Sequence, residues 1–288
     1  MPRNSAMKNA FPKKLFSIAT AVALCSTASL AQADTSDGKR WAVSAGWLHI
    51  MPQSDAQGVT GGTTAQAPLL GERALSYPQA GFEVQNTNTA GLIVDYLVDD
   101  NLSIELVIGL PPKMNLSGKG QIVLPSPIEG HAPITAANLD KFDKIATNDA
   151  YTPTVLGKYH FGTIQSPVRP YVGAGLMYAH FANIKADRGV NAELNNDPLL
   201  ALLNLKLGPI KVEDAVAPVI IAGMDFAINH SWFASASVSY AHLSTEAELE
   251  IFGKTALSAD APTGVILRGK SDIEVNPLVT NLGVGMRF

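Results

Sequence analysis

Six histidines, His49, His131, His160, His180, His230 and His242, are the side chains of this sequence best suited to moving protons. Ser44, Asp95, Glu105, Ser239 and Ser244 are their candidate partners. A histidine beside a serine would make an activated nucleophile, and a histidine beside a carboxylate would activate water. The spacings support neither. The chain has no Gly-x-Ser-x-Gly elbow and no His-Glu-x-x-His pair. His160 and His180 fall at opposite ends of consecutive apolar segments, so hairpin pairing keeps them apart and no shared metal is expected. The single cysteine, Cys25, excludes an intrachain disulfide and a cysteine metal cluster. The expectation is a non-enzyme without a cofactor. A second set is more telling. Asp95, Glu105, Lys158, Asp225 and Arg287 are lone charges inside apolar segments. Buried charges need partners, so if these face one interior they pair there and plug it.

The elements that would position these groups are strands. An apolar share of 47 % excludes a wholly disordered chain. The balance of 21 basic against 25 acidic residues, with no basic block, argues against a nucleic-acid partner. Residues 1–33 read as a signal peptide: Arg3, Lys8, Lys13 and Lys14, an apolar stretch Leu15–Leu24, then Ala31-Gln-Ala33. Its removal leaves 34–288 with 17 basic and 25 acidic residues, and no cysteine. That remainder contains no apolar run of 18 residues, so no spanning helix is expected.

What recurs is period-two alternation, in eight segments: Arg40–Met51, Thr87–Val98, Leu102–Leu110, Thr152–Phe161, Arg169–Phe181, Ala217–Asn229, Ser231–His242 and Ile273–Phe288. In the sixth, Pro218, Ile220, Ala222, Met224, Phe226 and Ile228 share one face, with Gly223, Asp225 and Asn229 beside Val219 and Ile221 on the other. In the seventh, Trp232, Ala234, Ala236, Val238 and Tyr240 oppose Ser231, Ser235, Ser237 and Ser239, with Phe233 as the exception. A solvated sandwich also alternates, but its outer face would be rich in Lys, Glu and Thr. Here the polar face is mostly Ser, Gly and Asn, which suits the crowded lumen of a small barrel whose other face meets lipid.

The connections give the topology. They run 35, 3, 41, 7, 35, 1 and 30 residues, long and short in strict alternation. Short periplasmic turns and long external loops are the mark of an outer-membrane barrel. The expected fold is all-β: an eight-stranded antiparallel transmembrane barrel over 34–288, with 1–33 as its export signal. The loop 52–86, around Gly58–Gly62, reads as mobile surface. In the loop 111–151, Ala136–Ile145 has helical spacing at Leu139, Phe142 and Ile145. In the loop 182–216, Asp197 and Pro198 start a helix with Leu199, Leu202 and Leu203 at helical spacing, expected to pack on the barrel rim. Thr245–Phe252 alternates and reads as a strand reaching beyond the bilayer.

Four stretches carry a resemblance. They are Trp47-Leu-His-Ile-Met-Pro52, Pro153-Thr-Val-Leu-Gly-Lys-Tyr-His-Phe161, Arg169-Pro-Tyr-Val-Gly-Ala-Gly-Leu-Met-Tyr178 and Asn276-Pro-Leu-Val-Thr-Asn-Leu-Gly-Val-Gly-Met-Arg-Phe288. In these the chain resembles the OmpW family of small outer-membrane barrels. The resemblance implies the outer membrane of a Gram-negative bacterium, with membrane lipid and lipopolysaccharide as surroundings. It also implies insertion by the outer-membrane assembly machinery, with Phe288 as the assembly signal. The implied activity is a narrow channel admitting small hydrophobic solutes and releasing them sideways through the wall. Trp47, Leu48 and Met51 are then candidates for the apolar path, with Pro52, which lacks a ladder donor, as a candidate for a lateral gap. Leu110, Leu139, Phe142, Leu199 and Leu202 are further path or rim candidates. The competing reading is a structural or adhesive surface barrel with a sealed core.

Overall fold

The computed structural model describes residues 35–53, 58–68, 71–126, 130, 132–258 and 260–288; the expected export signal at 1–33 lies outside them. Eight strands form the barrel: β1 (Trp41–Met51), β2 (Thr87–Leu97), β3 (Leu102–Gly109), β4 (Thr154–His160), β5 (Val168–Ala186), β6 (Ala215–Ala227), β7 (Trp232–Ala241) and β8 (Leu278–Arg287). Each pairs antiparallel with its neighbours in chain order. The ring closes where β1 meets β8, from Ala42↔Arg287 to Met51↔Leu278. Closure leaves no strand edge to face hydrocarbon, where unpaired N–H and C=O groups are costly.

The faces follow the alternation. On β3, Leu102, Ile104, Leu106 and Ile108 are exposed while Ser103 and Glu105 are buried. On β6, Ile220, Met224 and Phe226 point out while Val219 and Ile221 point in. The small inward residues make room for rings. A Cβ at Gly223 would sit 2.6 Å from Tyr171, and one at Gly285 would sit 2.5 Å from Phe233. Among the described residues no helix is long and apolar enough to cross a membrane.

Short turns join the strands at one end. Asp99 closes the first, its carboxylate accepting from the Asn101 and Leu102 amides at 2.7 Å each. Asn229 does the same for Ser231 and Trp232 at 2.9 Å each. Such Asx contacts replace the backbone bonds that a tight reversal forgoes.

The long connections at the other end are folded. β5 has 19 residues where its partner β4 has 7. Its first part pairs with β4, and its last part pairs with Ala146–Tyr151. Lys113–Lys119 and Gly81–Val84 extend that sheet. A second outer sheet joins Ser244–Lys254, Thr263–Glu274, Val59–Thr63 and Arg73–Tyr77. Both sheets, with short helices at Gly189–Leu194 and Pro198–Ala201, enclose a core that includes Leu124, Leu139, Ile145, Val190, Leu200, Leu203 and Ile266.

Three local expectations are corrected. The glycine-rich stretch of 52–86 is strand, not mobile surface: a Cβ at Gly61 would lie 2.1 Å from the Arg268 carbonyl, so the glycines permit close approach. The helix expected over 136–145 is instead the end of strand Ile134–Asn138 and one 3-10 turn, Leu139–Lys141, capped by Asn138. The eighth barrel strand begins at Leu278, because Ile273 and Glu274 belong to the outer strand before it. The expected extension at Thr245–Phe252 lies within Ser244–Lys254.

Candidate functional site

The barrel interior divides into two levels. Lys158 on β4 is 4 % exposed at its side chain, and its Nζ lies 2.6 Å from Asp95 on β2 and 2.6 Å from Glu105 on β3. The register places these groups together: Asp95 faces Glu105 across β2–β3, and Lys158 faces Ser103 across β3–β4. The ammonium also sits 4.6 Å from the centre of the Tyr171 ring. Desolvated charges persist only with such close partners. Nearer the short turns, Arg169 donates to the Asp100 carbonyl and Arg287 lies 3.8 Å from Asp37. Three of the expected lumen charges therefore meet, Lys158 with Asp95 and Glu105, while Arg287 is near Asp37 and Asp225 lies 3.7 Å from His160.

One histidine lies in a triad-like order here. Ser103 Oγ is 3.1 Å from His160 Nε2, and His160 Nδ1 is 3.7 Å from Asp225. The second distance is too long for a hydrogen bond. The adjoining cavity holds about 30 Å³, room for water but not for a substrate carbonyl with its substituents. His180 is far from this set: it bonds Asp214 at 2.7 Å on the outer surface.

Above Lys158 the lumen turns from mixed to apolar, with Ser44, Ser237, Ser239 and Asn281 still on the wall of its innermost part. Three cavities follow one another outward. The inner one, about 100 Å³, has Asp95, Glu105 and Lys158 among its polar lining and Leu48, Ile93, Val107, Leu156, Met177 and Val219 among its apolar walls. The middle one, about 110 Å³, shares Ile50, Pro112, Thr152, Met177, Pro277 and Val279 with it. The outer one, also about 110 Å³, shares Phe82, Ala146, Ile210 and Leu249 with the middle cavity and is walled by Leu139, Leu200, Leu203 and Ile266.

The wall around these cavities is interrupted once between β3 and β4. Their ladder ends at Val107↔Thr154, and pairing of the two chain segments resumes at Lys113↔Asp149. Pro111, Pro112 and Pro153 fall in the interval and have no N–H to give. A single backbone bond crosses it among the described residues, Ala150 N–H to the Pro112 carbonyl at 3.2 Å. Leu110 lines the inner cavity from this interval and is nevertheless 67 % exposed.

The residues singled out from sequence are spread over these features. Leu48 and Leu110 line the inner cavity, and Leu139 lines the outer one. Trp47 points outward and stacks on His49, with centroids 5.6 Å apart. Met51 ends β1, paired to Leu278. Beyond Pro52, the Gln53 N–H donates to the Val275 carbonyl, so pairing continues past the proline. Phe142 packs against the outer core. Leu199 is half-buried and Leu202 is exposed, while their neighbours Leu200 and Leu203 line the outer cavity. Ile50, Phe82, Met114 and Met177 were not read as lining from sequence. Ile50 was within reach, since it shares the inward face of β1 with Leu48. Phe82 and Met114 lie in connections whose strands the sequence did not reveal.

The model of the OmpW family matches residues 42–288. The chain belongs to the OmpW family. It is an outer-membrane barrel of the Gram-negative type. Outer membrane protein W of Vibrio cholerae is 28 % identical over 211 residues, covering 73 % of this chain and 78 % of that protein. The Pseudomonas aeruginosa dibenzothiophene metabolism operon protein PahQ is 23 % identical over 248 residues, covering 86 % of this chain and 91 % of that one. The crystal structure of the outer membrane protein OprG from Pseudomonas aeruginosa superposes with a TM-score of 0.63 at 20 % identity, covering 89 % of this chain and 98 % of that chain. That likeness is one of fold.

Proposed function

We propose that this OmpW-family barrel passes small, uncharged hydrophobic solutes inward through the three cavities and releases them sideways into the membrane. The observation that carries the reading is the meeting of a closed floor with an open side. The inner cavity ends on the Lys158–Asp95–Glu105 network, and further out along β4, past the last ladder pair Val107↔Thr154, the wall of the same cavity lacks its ladder at Leu110–Pro112 and Thr152–Pro153. A solute stopped by the charges has this interval, with lipid outside it, in the wall of the cavity it occupies. Lipopolysaccharide slows apolar solutes, so a greasy path across that layer lowers the barrier. The name of PahQ ties that relative to an operon for dibenzothiophene, a compound of the same class. We place the lateral exit at the β3–β4 interval rather than at Pro52, beyond which Gln53 still donates to the Val275 carbonyl. Residues 1–33 serve as the export signal and Phe288 as the signal read by the assembly machinery.

The test is uptake of a radiolabelled alkane by cells with and without the chain. Loss of the chain is expected to slow uptake, and Thr152→Trp, which fills the interval, to slow it comparably while the barrel still shows heat-dependent gel mobility. Equal uptake with and without the chain would overturn the transport reading and leave a sealed surface scaffold in its place.

A further inference from the structure

The middle cavity has one largely buried amide residue in its lining whose side chain has no protein partner among the described residues. Asn148, on strand Ala146–Tyr151, is 8 % exposed and lines the cavity between Ala146 and Ala150. The other hydroxyls there are engaged or peripheral. Thr245 donates to the Glu213 carbonyl at 2.6 Å, and Ser271 to the Gly58 carbonyl at 3.3 Å. Thr152 is half-buried at the wall interval. The Asn148 side-chain amide makes no hydrogen bond to any described residue. An amide that opens onto an apolar cavity without a protein partner has hydrogen-bonding capacity to offer an occupant.

The backbone around it is irregular as well. Asn148 sits where the pairing with β5 slips, between Thr147↔Lys185 and Asp149↔Ala182. Two β5 residues, Asn183 and Ile184, therefore oppose it, and Asn183 takes the left-handed conformation with φ 53°. Bulges of this kind re-aim side chains. Asn183 itself donates to Asp149 at 2.7 Å, so it does not serve Asn148.

We propose that Asn148 is a specificity residue: the tunnel favours neutral amphiphiles, an apolar body bearing one carbonyl or hydroxyl, over hydrocarbons of equal length. The amide offers both a donor and an acceptor to such a group. No Asp, Glu, Lys, Arg or His is among the residues lining the middle cavity, so an ionised head group would find no counter-charge there. The inference rests on the transport reading above.

The test compares initial uptake of radiolabelled 2-decanone and decane by cells lacking the chain, with the wild type restored, or with Asn148→Leu restored. Acceleration over the empty cells is expected to be about threefold to tenfold greater for the ketone, the ratio one net hydrogen bond supplies. Asn148→Leu, nearly the same size, is expected to abolish that preference while keeping the acceleration of decane. Equal acceleration of both solutes by the wild type overturns this inference and leaves transport standing. So does an Asn148→Leu barrel that slows both alike. Acceleration of neither overturns transport and this inference together. A measurement on the wild type alone guards against misfolding of the variant. The Asn148 side-chain amide signals of the whole barrel in detergent are expected to move on adding 2-decanone and to stay in place with decane. Signals that ignore the ketone would overturn the assignment.

Discussion

Two residues apart on the same inward face of β4, Leu156 and Lys158 mark the boundary between two differently built halves of one tube. Toward the short turns the lumen is held by ions: Lys158 between Asp95 and Glu105, with Arg169 and Arg287 beyond. Toward the outer sheets it is held by methyl groups and rings, from Leu156 and Met177 to Phe82 and Leu200. Strand geometry is the same in both. What differs is the free energy of having no contact: an unfilled apolar wall costs only its lost packing, whereas an unpartnered charge is prohibitive. The charged half must therefore bring its groups together and keeps room only for water, and the apolar half can carry a passage.

The sharpest way to break that contrast is at its charged side. Lys158→Met removes one cation and leaves two buried carboxylates facing each other. A loss of about 3–5 kcal/mol is expected from breaking such a network on one side. It is read as a lowered denaturant midpoint for barrels refolded in lipid vesicles. Adding Asp95→Asn and Glu105→Gln should recover much of the loss, because the uncompensated charges go too. A midpoint for the single variant equal to that of the wild type would mean the plug is not what fills the lower tube.

The apolar half allows a comparison within one short helix. Leu200 is buried in the outer core, and Leu202, two positions on, is exposed. Leu200→Ala should destabilise the outer cap by about 2–5 kcal/mol, the usual range for a buried leucine. Leu202→Ala should change it by no more than about 0.5 kcal/mol. Hydrogen exchange of the outer strands, Ser244–Lys254 above all, reads both. The cap of the same helix contributes less. Asp197 accepts from the Leu199 and Leu200 amides at 2.8 and 3.3 Å. Asp197→Ala should cost about 1 kcal/mol.

That helix also shows where sequence reading loses its grip. Its start is legible, since Asp197-Pro198 can do little else. Its buried face is not: with only four residues, Pro198–Ala201, no full turn follows to fix which leucine points inward. Leu199 and Leu202 then look as plausible as Leu200 and Leu203. The barrel strands suffer no such ambiguity. Period two sorts a lipid face from a lumen face most plainly in β3, β6, β7 and β8, although Val219, Ile221 and Phe233 are apolar residues that point inward, and the alternation of long and short connections orders the strands. The outer strands of 52–86 and 111–151 escaped notice because both of their environments are mixed. Val59–Thr63 is mostly glycine and threonine, and its partners lie up to about two hundred residues away in the chain. The wall interval was legible only in part. Pro111, Pro112 and Pro153 are plain in the sequence, but that they face one another depends on the β3–β4 register.

The smallest effect comes from a lysine that looks, by distance alone, like Lys158. Lys270, in the outer sheet, lies 2.6 Å from Glu246 and 2.8 Å from Glu248. Hydrogen bonds to the two carboxylates hold its ammonium above the ordinary lysine range, and the same contact holds Glu248 below the ordinary carboxylate range. The sign follows. A depressed carboxylate adds stability above its unfolded-state value and loses it as pH falls through the lowered folded value. Both charges therefore persist between about pH 7 and about pH 5. Yet Lys270 is 55 % exposed at its side chain, and water screens the pair. Lys270→Ala should leave the denaturant midpoint where it was, at either pH. A clear drop would mean that proximity to two carboxylates, rather than burial between them, sets what a lysine is worth in this barrel, and the contrast between the two halves of the tube would lose its energetic basis.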